Sequence, residues 1–438
     1  MRISLKYIAF IIFLSAAIYV GPSHAQDTSA THLPQSWDLK TCIEYAKNNN
    51  ITINSLKLDV KTAGQNLLAA KTARYPSLSA SVSQGVVNYK SGAQASSGYG
   101  ANADLTIFNG GYLNNDIKSK TLSEQTANLS VETTTNDITL QITQAYLNIL
   151  LAKENIVYLA DLVTSSEAQV NQGQQRLAAG TIAQKDLLQL RATLANDKYT
   201  LVTAQNQLQQ NTLTLKQLLQ LPTSASFNVI ASDTSRAANL MNLNTAQQKA
   251  LAIRPEIKSA MLNIQLQQTE LEKARATIRP TLSLGGALYS GYNSSTTGSY
   301  YSQLNNGFYQ SLGLTLSIPI FDKKVTRTNV AKAKIEVQQA GLTLMDERLT
   351  LTQAVEKAYL NVQNANSQYS AAAEQFTYTK EALRISAEQL RIGSNNIVEY
   401  LQQKNLYVQA LQAFVQAKYS ANLYSKIYNF YTGIPVTE

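Results

Sequence analysis

Two patterns of apolar and polar positions alternate along this chain, and each occurs twice. In Ser77 to Val82, Leu78, Ala80 and Val82 fall on one side and Ser77, Ser79 and Ser81 on the other. That is the period of a strand with one apolar and one hydroxyl face. Its partner, Tyr99 to Ile107, sets Tyr99, Ala101, Ala103, Leu105 and Ile107 against Gly100, Asn102, Asp104 and Thr106, and the small polar run Ser91 to Gly98 reads as the loop between them. The alternation returns where Leu282, Leu284 and Leu288 oppose Thr281, Ser283 and Ala287, and again where Leu312, Leu314, Leu316 and Ile318 oppose Ser311, Gly313, Thr315 and Ser317. Two hairpins with strands of about ten residues are predicted, and ten tilted residues cross a bilayer core. A half-buried hairpin in a soluble sheet would show the same alternation. Four strands cannot close a barrel, and an open edge in lipid leaves backbone groups unpaired. A membrane reading therefore requires further copies of the chain.

Helical periodicity fills most of the remainder. Within a stretch from about Leu113 to Ala178, Ile138, Ile142, Ala145, Ile149, Ala152, Ile156, Leu159 and Val163 recur at alternating spacings of four and three, a heptad seam. Leu351, Val355, Ala358, Val362, Ala365, Tyr369, Ala372 and Phe376 repeat it. Leu140, Leu147 and Leu151 lie off the seam, so each helix is expected to pack on two sides, as in a closed ring. Such a stretch spans on the order of 100 Å. The chain reverses at Ala179, Gly180 and Thr181, where glycine permits a left-handed helix end, and returns over Gln184 to Leu221. A short helix up to Arg254 and a second, opened by Pro255 and reaching Arg279, follow. The returning column is expected to be the Gln184 and Pro255 helices stacked end to end.

Both patterns belong to a duplication. Residues 39–79 align without a gap on 243–283. From residue 105 a constant register joins Phe108 to Phe321, the run Ala145 to Asn148 to Ala358 to Asn361, Gly180 to Gly393, and Pro222 to Pro435. Arg2 and Lys6, the apolar run Tyr7 to Val20, and Ser23 to Ala25 read as a secretory signal over 1–25. The expected division is then a first structural repeat over 26–222, an equatorial linker over 223–242, and a second repeat over 243–438.

Composition narrows the chemistry. The chain has 438 residues with 37 basic against 28 acidic, dispersed and without a basic cluster, so nucleic acid is not expected as a partner. Only 15% of residues are charged, which suits faces that meet protein, lipid or a water-filled lumen. Of the two histidines only His32 lies beyond the signal, and no GxxxxGK or GxGxxG run occurs. No enzyme, cofactor or metal is expected. Cys42, the single cysteine, reads as a packed small residue and Trp37 as a cap on the first short helix. Tyr89, Tyr99, Tyr289, Tyr292 and Tyr309, with Tyr300 and Tyr301, gather at the hairpin ends, where a membrane-interface girdle or a stacking platform would place them.

The duplicated Pro-[Ser/Thr]-Leu-Ser strand entries at Pro76 and Pro280, the passages Leu105 to Gly111 and Leu316 to Asp322, the Ala-Tyr-Leu-Asn runs, and the reversals Arg176 to Thr181 and Gln389 to Ser394 carry a resemblance. In order and spacing the chain resembles the TolC-like outer-membrane efflux proteins. The resemblance implies an α+β membrane protein. A homotrimer would form a twelve-stranded transmembrane β-barrel, four strands per chain, continued by a periplasmic barrel of coiled-coil helices. It also implies an outer-membrane duct with a periplasmic adaptor and an inner-membrane pump of RND or ABC type as partners, in tripartite efflux or type I secretion. By the same resemblance Glu399 and Gln402 stand at the channel constriction. Gly180, Thr181, Asp186, Gly393, Ser394 and Asn395 stand at the tip latch and adaptor-docking surface, with Gln402 and Asn395 where an acid and a basic residue are often found. Glu399 as an ordinary solvated helix-end carboxylate, and the whole chain as a non-conducting structural or adhesive coiled-coil protein, are the alternatives.

Overall fold

The computed structural model describes residues 34, 36–222, 224–230 and 240–436; the signal segment, His32 and residues 231–239 of the linker lie outside the described residues. Chain order is α1 Leu39–Asn49, α2 Ile51–Thr72, β1 Ser77–Tyr89, β2 Gly92–Asn109, α3 Tyr112–Ala178, α4 Gln184–Leu218, α5 Leu243–Ile253, α6 Pro255–Ala276, β3 Thr281–Asn293, α7 Tyr300–Asn306, β4 Tyr309–Ser317, α8 Val325–Ile392 and α9 Ile397–Tyr431. The starts obey simple capping chemistry. Asp38 accepts from the Thr41 N–H at 2.7 Å, Asn50 caps α2, and Pro255 opens α6 where its missing N–H costs nothing.

The four strands form one antiparallel sheet in the order β1-β2-β3-β4, so β2 of the first repeat pairs with β3 of the second. The segment Ser91 to Gly98 is not a loop. Tyr89 already pairs with Gly92 and Asn88 with Ala93, leaving Lys90 and Ser91 as the turn, and Gly92 takes φ 119°. Small side chains gave that stretch no apolar alternation, but the backbone ladder runs through it. Between β3 and β4 the outward loop contains α7, capped by Ser299, which the sequence pattern did not announce. Pro319 lies beyond the end of β4 at Ser317, leaving Ile318 outside the ladder.

The helices make four columns. α3 and α8 run unbroken for 67 and 68 residues; α4 and α9, each 35 residues, pack back along them. The stacking differs from expectation. The Ile51 N–H at the start of α2 donates to Gln220 Oε1 at 2.8 Å just beyond α4, so α4 is continued by α2. Arg254, at the start of α6, lies 4.3 Å above the Phe430 ring at the end of α9, so α9 is continued by α6. Each returning helix is thus prolonged by the helix that leads into its own repeat's strands. α6 packs between α3 and α8, a place the end of α4 does not reach.

The seam holds through its middle, where Ile142, Ile149, Val355 and Val362 are fully buried; Tyr369 is exposed and stacks its ring on Phe414. At mid-height α1 and the linker close a core with Trp37, Cys42, Ile43, Tyr146, Leu215 and Leu219. Trp37 pairs its backbone with Val229 and sets its ring edge-on to Tyr45 at 5.2 Å, while Asp38 does the capping. Burial first, then the nearby Asp38 charge, pushes the Cys42 thiol up to about 12, so it stays an inert packing residue.

Candidate functional site

The sheet separates two chemistries by register alone. Directly opposed residues share a face. One face carries Leu78, Ala80, Val82, Ala101, Ala103, Leu105, Leu284, Leu288, Leu312, Leu314 and Leu316; the other carries the serines of β1, Gly100, Asn102, Asp104, Ser283, Gly285, Gly313 and Thr315. Leu78 and Leu312 are 80% and 78% exposed, a degree that water does not favour and lipid does. The register also divides the tyrosines. Tyr99 and Tyr292 stand on the apolar face beyond Leu288, whereas Tyr89, Tyr289 and Tyr309 share the polar face, with the Tyr289 and Tyr309 rings 5.5 Å apart. Gly98, Gly100 and Gly291 leave the space in which the Tyr289 ring lies.

At the far end of the helices the two reversals lie side by side. Gly180 at φ 71° and Gly393 at φ 79° terminate α3 and α8 in the left-handed conformation that glycine adopts without strain. Thr181 donates both its N–H and its hydroxyl to the Arg176 carbonyl at 2.8 and 2.9 Å; Ser394 does the same to the Gln389 carbonyl. Asp186 accepts from the Ala183 N–H at 3.3 Å, closing the first turn of α4. Asn395 donates to Ser386 Oγ at 3.3 Å, and Asn396 caps α9 by accepting from the Glu399 N–H at 2.9 Å.

A cleft between the two tips brings Thr181, Asp186, Gly393 and Asn395 together with Arg176. A second, beside it, gathers Lys185, Asp186, Ile397, Leu401 and Gln402. Glu399 lines neither and points, exposed, from the first turn of α9.

Three ties between the hairpins escaped the sequence reading. Arg176 of α3 donates to the Leu390 carbonyl of α8 at 2.8 Å. Lys404 of α9 meets Asp197 of α4 at 2.5 Å and Ser166 of α3 at 2.6 Å, all three buried. Lys418 reaches both oxygens of Glu154 at 2.8 and 2.9 Å, and the Tyr419 hydroxyl donates to the same carboxylate at 2.7 Å. The signal for the second tie was present. Asp197 continues the spacing of Leu187, Leu190 and Leu194 toward Leu201 and Ala204, and Lys404 continues that of Tyr400 toward Leu411, so both charges occupy seam positions that ask for apolar residues.

The model of the outer membrane efflux protein family matches residues 42–220 and again 246–423, one match in each half. The chain belongs to that family. It is similar to the outer membrane protein TolC of Escherichia coli, with 23% identity over 409 residues covering 89% of this chain and 80% of that protein. It is also similar to the pyoverdine export outer membrane protein OpmQ of Pseudomonas putida, with 24% identity over 280 residues covering 63% of this chain and 57% of that one. Among solved structures, CusC superposes with a TM-score of 0.79 at 19% identity over 90% of this chain and 92% of that one. The open Neisseria gonorrhoeae MtrE outer membrane channel superposes with a TM-score of 0.77 at 16% identity over 91% and 89%.

This efflux-family protein is an outer-membrane channel component of the kind used in efflux and type I secretion. Its fold is the family's α+β architecture, in which the sheets of three chains share one twelve-stranded barrel continued by the helices. The family is one of channel proteins rather than enzymes.

Proposed function

We propose that the protein is a passive duct that receives cargo at its helical tips from a periplasmic adaptor tied to an inner-membrane pump of RND or ABC type. It carries that cargo through the outer membrane of a Gram-negative cell. The observation that carries this reading is the union in one chain of two surfaces at opposite ends. One is a sheet face of exposed leucines suited to lipid; the other is a pair of adjacent polar helix reversals closed by Gly180 and Gly393 and by bonds from Thr181, Ser394 and Asn396. Turns tied by their own side chains hold one outward shape for another protein to meet.

In the trimer Glu399 of each chain rings the axis at the narrow end, and three carboxylates there favour cations. Gln402, one turn above, keeps the second level neutral. Gly180, Thr181, Asp186, Gly393, Ser394 and Asn395 form the adaptor-docking rim, and Tyr99 and Tyr292 form the outer girdle of the barrel. The test is a photo-cross-linking residue placed at Thr181 or Asn395 in cells. Adducts with a periplasmic adaptor are expected. Adducts confined to copies of this chain would overturn the docking assignment and favour a structural envelope role.

A further inference from the structure

The four strands contain a single charged side chain, Asp104. Its register is Ser77 on one side and Gly285 on the other, with Gly313 beyond Gly285. It therefore stands on the hydroxyl-and-glycine face, the face turned away from the leucines that meet lipid. Every neighbour along that row is small. A Cβ built on Gly285 would sit 3.7 Å from Asp104 Oδ1, so the carboxylate lies over a bare stretch of backbone rather than behind a side chain. Ser77 donates to the Asp104 backbone carbonyl at 3.4 Å, leaving the carboxylate itself alone. Among the described residues no cation pairs with it, and it is exposed.

We propose that Asp104 sets a second level of charge selectivity, inside the β-barrel and distinct from the Glu399 ring. This rests on the duct reading above and adds a residue to it. Asp104 lies opposite the first residue of β1, at the end of the barrel that opens into the helical tunnel, and the length of α3 puts it on the order of 100 Å from the tips. In the trimer three such carboxylates face one lumen whose strands carry no other charged side chain. A wall of low polarizability focuses their field into the water column, so mobile cations are enriched and anions depleted there. The Glu399 level acts on cargo at entry; the Asp104 level acts on what passes from tunnel to barrel. Cationic cargo passes this level favourably, and anionic cargo meets a barrier even when the tips are held wide.

The measurement is the reversal potential of the purified trimer in planar bilayers under a potassium chloride gradient, in a Lys404→Ala background, which removes the buried tie to Asp197 and is expected to loosen the tips. Asp104→Asn is nearly isosteric and keeps the exposed position polar. It should lower the cation-to-anion permeability ratio roughly twofold or more where the salt is about 0.01 M, and by much less near 1 M, where screening shortens the field to about 3 Å. Asp104→Glu should restore the ratio, and Glu399→Ala should leave the effect of Asp104→Asn in place. Channels of normal conductance whose ratio at low salt is unchanged by Asp104→Asn would overturn the proposal and leave the duct intact. A trimer that never conducts would instead overturn the duct reading.

Discussion

The two helical hairpins are copies of one pattern, yet different forces hold their lower halves. In the first, Leu159, Leu162 and Ala204, and then Val170, Leu187 and Leu190, form apolar clusters down to the turn. In the second, below Ala372, α8 buries only Ser386 and Leu390, while α9 buries Tyr400, Lys404, Ala410 and Leu411, and Phe376 stacks on Phe414 with ring centroids 4.9 Å apart. Beside the apolar contacts that Val408 and Ile397 make with those clusters, it is tied to the first hairpin by polar groups at three heights: Glu154 with Lys418 and Tyr419, Asp197 and Ser166 with Lys404, and Arg176 with the Leu390 carbonyl. Apolar contacts tolerate small slides, whereas a buried ion pair has one satisfied geometry and is costly in any other. The first hairpin is closed by apolar clusters down to its turn; the second adds polar fastenings to its apolar contacts.

The largest expected effect comes from removing the middle fastening. Lys404→Ala leaves Asp197 buried without its cation, a loss of about 3–5 kcal/mol at that contact. Hydrogen exchange should lose protection across α9 from Ile397 to Leu411 while α3 and α4 keep theirs. The double change Lys404→Met with Asp197→Leu should restore most of it, because those seam positions suit apolar residues. Equal loss in both hairpins after Lys404→Ala would erase the contrast.

Arg176→Ala should cost less, about 1–2 kcal/mol for one charge-assisted bond near the surface. It should show as faster labelling of a cysteine at Leu390, with Leu187 unaffected. Gly180→Ala and Gly393→Ala should each cost about 1 kcal/mol, and equally. The left-handed backbone is strained for alanine at both, a Cβ at Gly180 meets nothing within 4 Å, and one at Gly393 comes no nearer than 3.7 Å to Arg176. Unequal melting temperatures would show that one reversal is under additional load.

The smallest effect lies at mid-height. Burial, then the neighbouring Glu256 charge, raises the Asp137 carboxyl above its ordinary range, with Arg254 partly opposing. A raised carboxyl favours the neutral form in the folded chain, so its ionisation weakens the fold as pH rises through that value. Asp137→Asn should therefore raise the melting temperature slightly at pH 7, and the gain should fade as the pH is lowered through the carboxylate range.

Much of this architecture is written in periodicity. The seam from Ile142 to Val163 and its copy fixed two very long helices because a heptad spacing cannot be satisfied any other way over that length. The glycines at 180 and 393 marked the reversals because only a left-handed residue ends a helix so sharply. The stacking of α4 on α2 was not legible, since the length match that suggested α6 holds equally for α2, and a single bond, Ile51 to Gln220, decides it. The strand running through Gly92 to Gly98 escaped for a related reason. Alternation is visible only where side chains differ, and glycine, alanine and serine differ little. At the tips, Gly180 and Gly393 were legible from turn chemistry, whereas Asp186 and Asn395 entered only through the family resemblance; the ties across the hairpins join residues more than 200 positions apart and leave only a misplaced charge on a seam as their trace.

Single-channel recording of the purified trimer in planar bilayers, unmodified and as Lys404→Ala, tests most directly whether this is a duct whose opening is limited by the polar fastenings of its second hairpin. The unmodified protein should show small or rare openings, and Lys404→Ala should show a large, long-lived conductance. Trimers of both forms that insert into the bilayer and pass no current would contradict the account.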